Sequence, residues 1–454
     1  MLKRNIKLVF STNALMLCSA VVTSLLSAWA LGPEGRGDLM IVLTWPAVFA
    51  MAMELGLPQA YRFWTAKRPE CVSALFSNAL IFSLVVGLLA LGLGELLIPR
   101  LVGERSPEVM RLVKIYALII PMSLVTDMMR GLLEGMRRFA WVGAVRLIFF
   151  GVQLGGYIAL SIIGRLTVAN ATYTMLASIA ASMVLSLIAV WRELSPRWQP
   201  ELSELKTSLR YGLRDYPGVL TEFANWRLDS LMLTGMASSA SIGLYSIAVR
   251  LSDITTVLAS SVGDALMPEI ASLRKVDEAK RVVTRSLRLT LIAHLLILVP
   301  LWIAAPHILR FAYGEGFVQV TSVMRLLMIA SVIWSAGAIV ISGLNGLGHP
   351  GLSATARISA AVVMVIALTA WLPRWGILGA ALASITGYSV MFVVALFWLL
   401  RRLDLSLWQC LRPRWADVPP GLKPAALGAE LYKYSRRIRP TKTQPADVLL
   451  TGVE

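Results

Sequence analysis

Apolar residues fall along this chain in long blocks, each broken by a short polar stretch, from residue 8 to residue 400. A helix needs about 20 such residues to cross the hydrocarbon core of a bilayer. The blocks predict twelve spanning helices, near residues 8–31, 38–60, 73–99, 109–133, 139–163, 168–191, 208–236, 241–267, 287–309, 322–344, 352–373 and 376–400. The first follows Lys3, Arg4 and Lys7 and ends near Ala28-Trp29-Ala30, which has the form of a signal-peptide cleavage site. Its apolar stretch outruns the roughly 7–15 residues of a signal peptide's central region, so it is expected to stay as a membrane anchor.

Composition removes the other classes. Apolar residues make up 57% of the 454 positions and charged residues 15%, against about 25% charged in a soluble domain. Mean hydropathy is +0.70. An ordinary soluble enzyme, a disordered chain and a disulfide-rich secreted protein are all excluded. A net charge of +17 would point to nucleic acid in a soluble protein, but these cations sit between apolar blocks and report topology. No nucleic-acid partner is expected.

Counting each loop with the span ends that border it, 32 lysines and arginines lie at the N-terminus, the even-numbered loops and the C-terminal stretch, against 8 at the odd-numbered loops. Lys114, Arg227 and Arg250 fall inside spans. This bias predicts that both termini are cytoplasmic. Cys18, Cys71 and Cys410 have no metal-ligand spacing and only three histidines occur, so neither a disulfide framework nor a metal or cofactor site is expected. Residues 402–454 contain Pro413, Pro419, Pro420, Pro424, Pro440 and Pro445 and cluster Lys433, Arg436, Arg437 and Arg439. A disordered cytoplasmic tail is expected there, either touching anionic headgroups or simply solvated.

The halves of the chain repeat. Gly103-Glu104 recurs as Gly314-Glu315, Lys114 as Arg325, Gly135 as Gly346 and Arg146 as Arg357, all displaced by 211 residues. Glu54 with Pro58 recurs as Asp264 with Pro268, displaced by 210. Six spans per repeat put both halves in the membrane in the same sense, a parallel repeat about an axis along the membrane normal. The expected organisation is a six-helix lobe over 1–191, a linker over 192–207 with Pro196 and Pro200, a second lobe over 208–401 and the tail. Two like bundles around a central cavity is a geometry for alternating access, and no pore loop is found.

Several local patterns resemble bacterial polysaccharide flippases. They are Leu31-Gly32-Pro33-Glu34-Gly35-Arg36-Gly37, Gly56-Leu57-Pro58-Gln59-Ala60, Trp226-Arg227-Leu228-Asp229, Gly243-Leu244-Tyr245-Ser246 with Arg250, and Tyr313-Gly314-Glu315-Gly316-Phe317. The resemblance runs over roughly residues 1–400. It implies the multidrug/oligosaccharidyl-lipid/polysaccharide exporter superfamily, whose members carry two six-helix lobes in a V shape. Its polysaccharide branch moves undecaprenyl-pyrophosphate-linked sugars from the inner to the outer leaflet of the bacterial cytoplasmic membrane. Other polysaccharide-assembly membrane proteins are possible partners beside the membrane lipids. The similar lipid II flippases carry arginines in their first two spans, and none is read in those spans here.

A charged side chain in the bilayer costs several kcal/mol and calls for a reason. Arg227 and Arg250 flank the short loop between spans seven and eight, and at 1.5 Å per residue both lie about 16–18 Å below it. Asp229 and Asp253 lie close by on the same helices. Two guanidiniums suit a diphosphate, which they grip by bidentate, charge-assisted hydrogen bonds. The alternative is an internal ion-pair set, Arg250 with Asp253 and Arg227 with Asp229 or Glu222. Glu54 and Asp264 are candidate gating or salt-bridging residues near the inner mouth, with loop arginines such as Arg62 as partners. Asp127, Arg130 and Lys114 are expected to snorkel. Arg36-Gly37-Asp38 falls in a predicted outer loop, where its adhesion-tripeptide spelling is chance.

No catalytic constellation appears, and no soluble part is large enough to hold ATP. A lipid-linked oligosaccharide flippase is the leading expectation. An ion-coupled multidrug exporter is disfavoured by the lack of any Asp or Glu in Leu8–Leu31. A polysaccharide polymerase or ligase would need a sizeable outer loop, and every predicted one is short.

Overall fold

Glycine and proline, rather than loops, divide the first and last of the long helices. The computed structural model describes residues 2–412 apart from 104, 196 and 274, and the side chains of these except 2–17, 215, 217–220, 222–227, 257, 258, 264, 265, 268, 271, 272 and 411. Along them run α1 (Leu2–Ala52), α2 (Leu57–Lys67), α3 (Val72–Val102), α4 (Pro107–Tyr116), α5 (Ile119–Gly135), α6 (Phe139–Ile162) and α7 (Val168–Leu194). Then follow α8 (Leu202–Met236), α9 (Ser239–Asp253), α10 (Thr256–Ser272), α11 (Val276–Ile308), α12 (Thr321–Gly346), α13 (Pro350–Leu403) and α14 (Leu407–Leu411). No strand occurs among the described residues.

The first two predicted segments lie end to end in α1. At Gly32 the backbone turns to φ 64°, ψ −175°, which glycine reaches without a Cβ clash. Pro33 then opens the resumed helix with its φ already set. Gly376 (φ 54°, ψ −136°) breaks α13 in the same way, three residues after Pro373. The outer loop expected at 32–37 is therefore a kink, and Arg36 belongs to a helix.

Among the described residues seven helical stretches are long and apolar enough to cross a bilayer, or eight if Cys18–Ala52 and Leu57–Lys67, bent by 45°, form one span. That count takes α13 once although it holds two predicted segments, and it leaves out α8, which carries Glu204, Lys206, Arg210, Arg214, Asp215, Glu222, Arg227 and Asp229. Polar residues are tolerated on a membrane helix where it faces the protein interior, and α8 borders the cavity described below. The chain is an all-helical, multi-pass membrane protein.

Glycines let the two halves of the chain touch backbone to backbone at opposite ends of the cavity described below. A Cβ on Gly37 would lie 1.6 Å from the Ser239 carbonyl oxygen, and one on Gly243 1.8 Å from that of Pro33, so α1 and α9 meet with no side chain between them. At the opposite end a Cβ on Gly56 would fall 2.5 Å from the Gly212 carbonyl oxygen, and one on Gly212 2.6 Å from that of Leu55. Leu55 (φ 49°) and Gly56 (φ 71°) form the bend between α1 and α2. Here α2 presents Arg62, Lys67 and Arg68, which makes this the basic end. Arg68 pairs with Glu204 at 2.7 Å, and Asn78 exchanges hydrogen bonds of 2.7 and 3.2 Å with the Glu201 backbone.

Two glycine pairs that stand 211 residues apart have similar surroundings. Gly135 packs on the Arg62 carbonyl of α2 and Gly346 on the Met267 carbonyl of α10, with 2.7 and 2.8 Å left for a Cβ. Gly103 and Gly314 close helical stretches with φ of 76° and 96°. Packed structure continues into the stretch expected as a tail from residue 402: Leu403 and Cys410 are buried with Val283 and Leu287, and Arg288 donates to the Gln409 carbonyl at 2.8 Å. Residues 413–454 lie outside the described residues.

Gly243→Ala has no rotamer with which to relieve its clash, so α9 must move off α1. Overpacking of this kind costs about 1–3 kcal/mol, and the thermal unfolding midpoint of the purified protein is expected to fall by several degrees. Gly151→Ala, with nothing within 4 Å of the new Cβ, is expected to leave the midpoint unchanged or raise it.

Candidate functional site

Between the two glycine contacts α1, α8 and α9 enclose a cavity of about 270 Å³. Its described lining carries two cations, Arg36 from α1 and Arg250 from α9, and one acid, Asp253. Thr44, Ser230, Thr234 and Ser246 add hydroxyls, and residues such as Met40, Leu43 and Val249 make the remainder apolar. Among the described lining residues the formal balance is positive.

Arg36 is 4% exposed. It donates from Nε to Ser246 Oγ at 3.1 Å, from one terminal nitrogen to the Ser24 carbonyl at 3.2 Å and to Ser27 Oγ, and from the other to Ser24 Oγ at 3.1 Å. Every one of these acceptors is neutral. The guanidinium is thus fixed by hydrogen bonds across the Gly32 kink and to α9 while its charge is left uncancelled by them, an arrangement that favours an incoming anion. Arg250 is near enough for its charge to bear on Arg36. Asp253, one turn along α9, lines the same space.

The sequence motifs converge here. Gly37 touches Ser239, Pro33 touches both Gly243 and Gly316, and the Trp29 indole donates to the Ala312 carbonyl at 2.6 Å. Segments near residues 29–37, 239–246 and 312–317 therefore form one contact. The sequence reading missed Arg36, because a kink was taken for a loop. Ser24 and Ser27 on one face of the first helix were the available signal.

The other expected residues separate. Asp229 is buried and its Oδ2 accepts from the Tyr245 hydroxyl at 2.5 Å and the Ser384 hydroxyl at 3.1 Å. It borders a second, smaller cavity with Asp253 and Tyr388 and ties α8 to α9 and α13. The side chains of Arg227 and Asp264 lie outside the described residues. The expected pairing of Glu54 with Arg62 is also corrected. Gly131 and Gly135 let α5 close onto the Pro58 and Arg62 backbone, which hands Arg62 to Glu134. Glu54 instead lies against Asp127, itself 2.8 Å from Arg130.

The sequence profile of the polysaccharide biosynthesis protein family matches residues 28–322. The chain belongs to that family. It is 22% identical over 57% of its length to the flippase Agl15 of Haloferax volcanii, assigned to low-salt glycan biosynthesis, and 25% identical over 48% to AglR, assigned as a flippase of the same organism. The matches cover 52% and 47% of those proteins, so the chain spans about half the length of the curated relatives it matches. A protein of Shigella flexneri assigned as an O-antigen transporter is 20% identical over 78% of this chain and 87% of its own.

Among solved structures, the lipid II flippase MurJ in an inward closed conformation superposes with a TM-score of 0.73 at 15% identity, over 97% of this chain and 94% of that one. An inward-facing multidrug resistance MATE transporter gives 0.71 at 16% identity, over 86% and 94%. At these identities the likeness establishes the fold. This family member shares the helical architecture of flippases and drug exporters alike.

Asp229→Ala leaves the buried Tyr245 hydroxyl without its acceptor, while the Ser384 hydroxyl keeps the Ala380 carbonyl at 3.1 Å. The expected loss is about 1–3 kcal/mol of stability, read as a lowered unfolding midpoint, with Asp229→Asn losing less because its amide oxygen still accepts.

Proposed function

We propose that this protein is a flippase that carries an undecaprenyl-pyrophosphate-linked oligosaccharide from the inner to the outer leaflet of the bacterial cytoplasmic membrane, for cell-surface polysaccharide synthesis. The observation that carries the reading is the pair of arginines, Arg36 and Arg250, on one cavity between helices from both halves of the chain. A diphosphate offers acceptor oxygens in the forked geometry of a guanidinium. Arg227, one turn before Ser230 on α8, is the proposed third cation, and Asp253 sits where it can compete with the phosphate for Arg250 and so favour release. The cargo's lipid would stay in the bilayer while its charged head crosses.

The molecule would work as two six-helix lobes, 1–191 and 208–401 about the 192–207 linker, with both termini cytoplasmic. Matched roles of Gly135 and Gly346 support that duplication. Alternating access would open the Gly37–Gly243 contact and the Gly56–Gly212 contact in turn. The cavity is too small for an oligosaccharide while both hold, so opening one is part of loading. A multidrug exporter of cationic compounds is disfavoured, because two arginines face one aspartate among the described lining residues.

Arg250→Ala and Arg36→Ala are each expected to lower flipping at least about tenfold, from the loss of charge-assisted hydrogen bonds worth about 1.5–3 kcal/mol. The measurement is the inner-leaflet fraction of lipid-linked sugar in a strain depending on the variant, with unfolding midpoints confirming that the protein folds. Normal surface polysaccharide in both variants would refute the reading.

A further inference from the structure

A second cleft, of about 580 Å³, opens at the basic end, away from the arginine cavity. Its wall is a stripe of α2, Gln59, Arg62, Phe63, Ala66 and Lys67, spaced i, i+3, i+4, i+7 and i+8 so that they share one helix face. Tyr211 of α8 closes it from the other half of the chain. Phe63 and Tyr211 stack with centroids 4.7 Å apart and planes 13° apart, and Trp64 stands edge-on to both.

The charges along this face are unequally matched. Arg68 makes two hydrogen bonds to Glu204, at 3.0 and 2.7 Å. Arg62 is paired with Glu134, yet its side chain remains 56% exposed and has N–H groups to spare. Lys67 is exposed and lies 5.5 Å over the Phe63 ring and 5.6 Å over Trp64, with no carboxylate within ion-pair distance among the described residues. Gln59 carries a buried Oε1 that accepts no hydrogen bond. The cleft therefore presents cationic donors on an aromatic wall, and behind its surface the Gln59 Oε1 is an unpaired acceptor that a turn of the side chain brings into the cleft. It asks for a ligand with a negative charge and a hydroxyl donor.

We infer that this cleft binds the headgroup of an anionic phospholipid of the glycerol-phosphate type, its phosphate on Lys67 and Arg62 and a glycerol hydroxyl on Gln59 Oε1, and that the lipid clamps α2 to α8. The placement favours a bilayer source. Aromatic rings mixed with cations at the end of membrane helices mark the headgroup level, and an anionic leaflet attracts each cation near it. The bridge spans the seam where Gly56 meets Gly212, so an occupied cleft holds the basic end closed. None of this rests on what the central cavity carries.

Titration of the full-length protein in neutral detergent with short-chain phosphatidylglycerol, phosphatidylcholine and inorganic phosphate tests it, with binding read by native mass spectrometry. Phosphatidylglycerol is expected to bind best. Lys67→Ala is expected to weaken it about fivefold, the share of one cation at an anionic surface, and Gln59→Leu to weaken it as well. Lys114→Ala, exposed and on α4, is the control and is expected to bind like the parent. Phosphatidylglycerol is also expected to slow hydrogen exchange at Leu55–Leu57 and around Gly212. Equal binding of phosphatidylcholine, equal binding of free phosphate, or a loss in Lys114→Ala matching that in Lys67→Ala overturns the site.

Discussion

A guanidinium buried among membrane helices must have its N–H groups satisfied, and here Arg36 is satisfied without a carboxylate. Its acceptors are Ser24 and Ser27, before the Gly32 kink that Arg36 follows, and Ser246 on α9. That network needs α1 bent back on itself and α9 drawn against it. Both conditions are met by glycine: Gly32 takes the bend, and Gly37 and Gly243 allow the backbones to touch. The charge, the kink and the seam stand together, because removing one leaves a polar group unpaired in an apolar setting.

The arrangement gives the helices different surroundings. Those that face lipid, such as α3 and α6, are apolar over most of their length, with Leu84, Leu88 and Ile162 exposed. The cavity helix α8 carries many acids and bases in its sequence, and two of them are bound inside the protein, Glu204 by Arg68 and Asp229 by Tyr245 and Ser384. A membrane protein cannot rely on the hydrophobic effect to bring helices together inside the bilayer, so close packing at small residues and buried polar links take that part. Backbone contact at Gly56–Gly212 and the Arg68–Glu204 pair do so at the basic end.

Both seams join the first half of the chain to the second, and the arginine cavity lies between them. A seam of bare backbone has few side chains to repack, so parting it requires little rearrangement within each half. The two contacts differ in what surrounds them. Near Gly37 the neighbours are Trp29, Pro33 and Gly316; near Gly56 they are aromatic and cationic, with Phe63, Tyr211 and Lys67 open to solvent or headgroups.

The chain's own order of residues settled the class. Blocks of about 20 apolar residues have one solution in a bilayer, since backbone polar groups there must be paired within a helix. The cation bias of the loops and the family motifs were legible for the same reason, being local. What the linear pattern could not supply was contact between distant segments. Arg36 looked like a loop residue because a kink at one glycine and a loop of six residues have the same hydropathy, and only its packing against Ser24, Ser27 and Ser246 distinguishes them. The sequence put Asp229 near arginines by distance along the chain, whereas its Tyr245 and Ser384 partners reach it only through folding. Arg62 went to Glu134 for the same cause: the glycines of α5 decide which acid comes within reach. Composition fixes where a helix can lie, and the choice among many nearby charges and hydroxyls waits for three-dimensional packing.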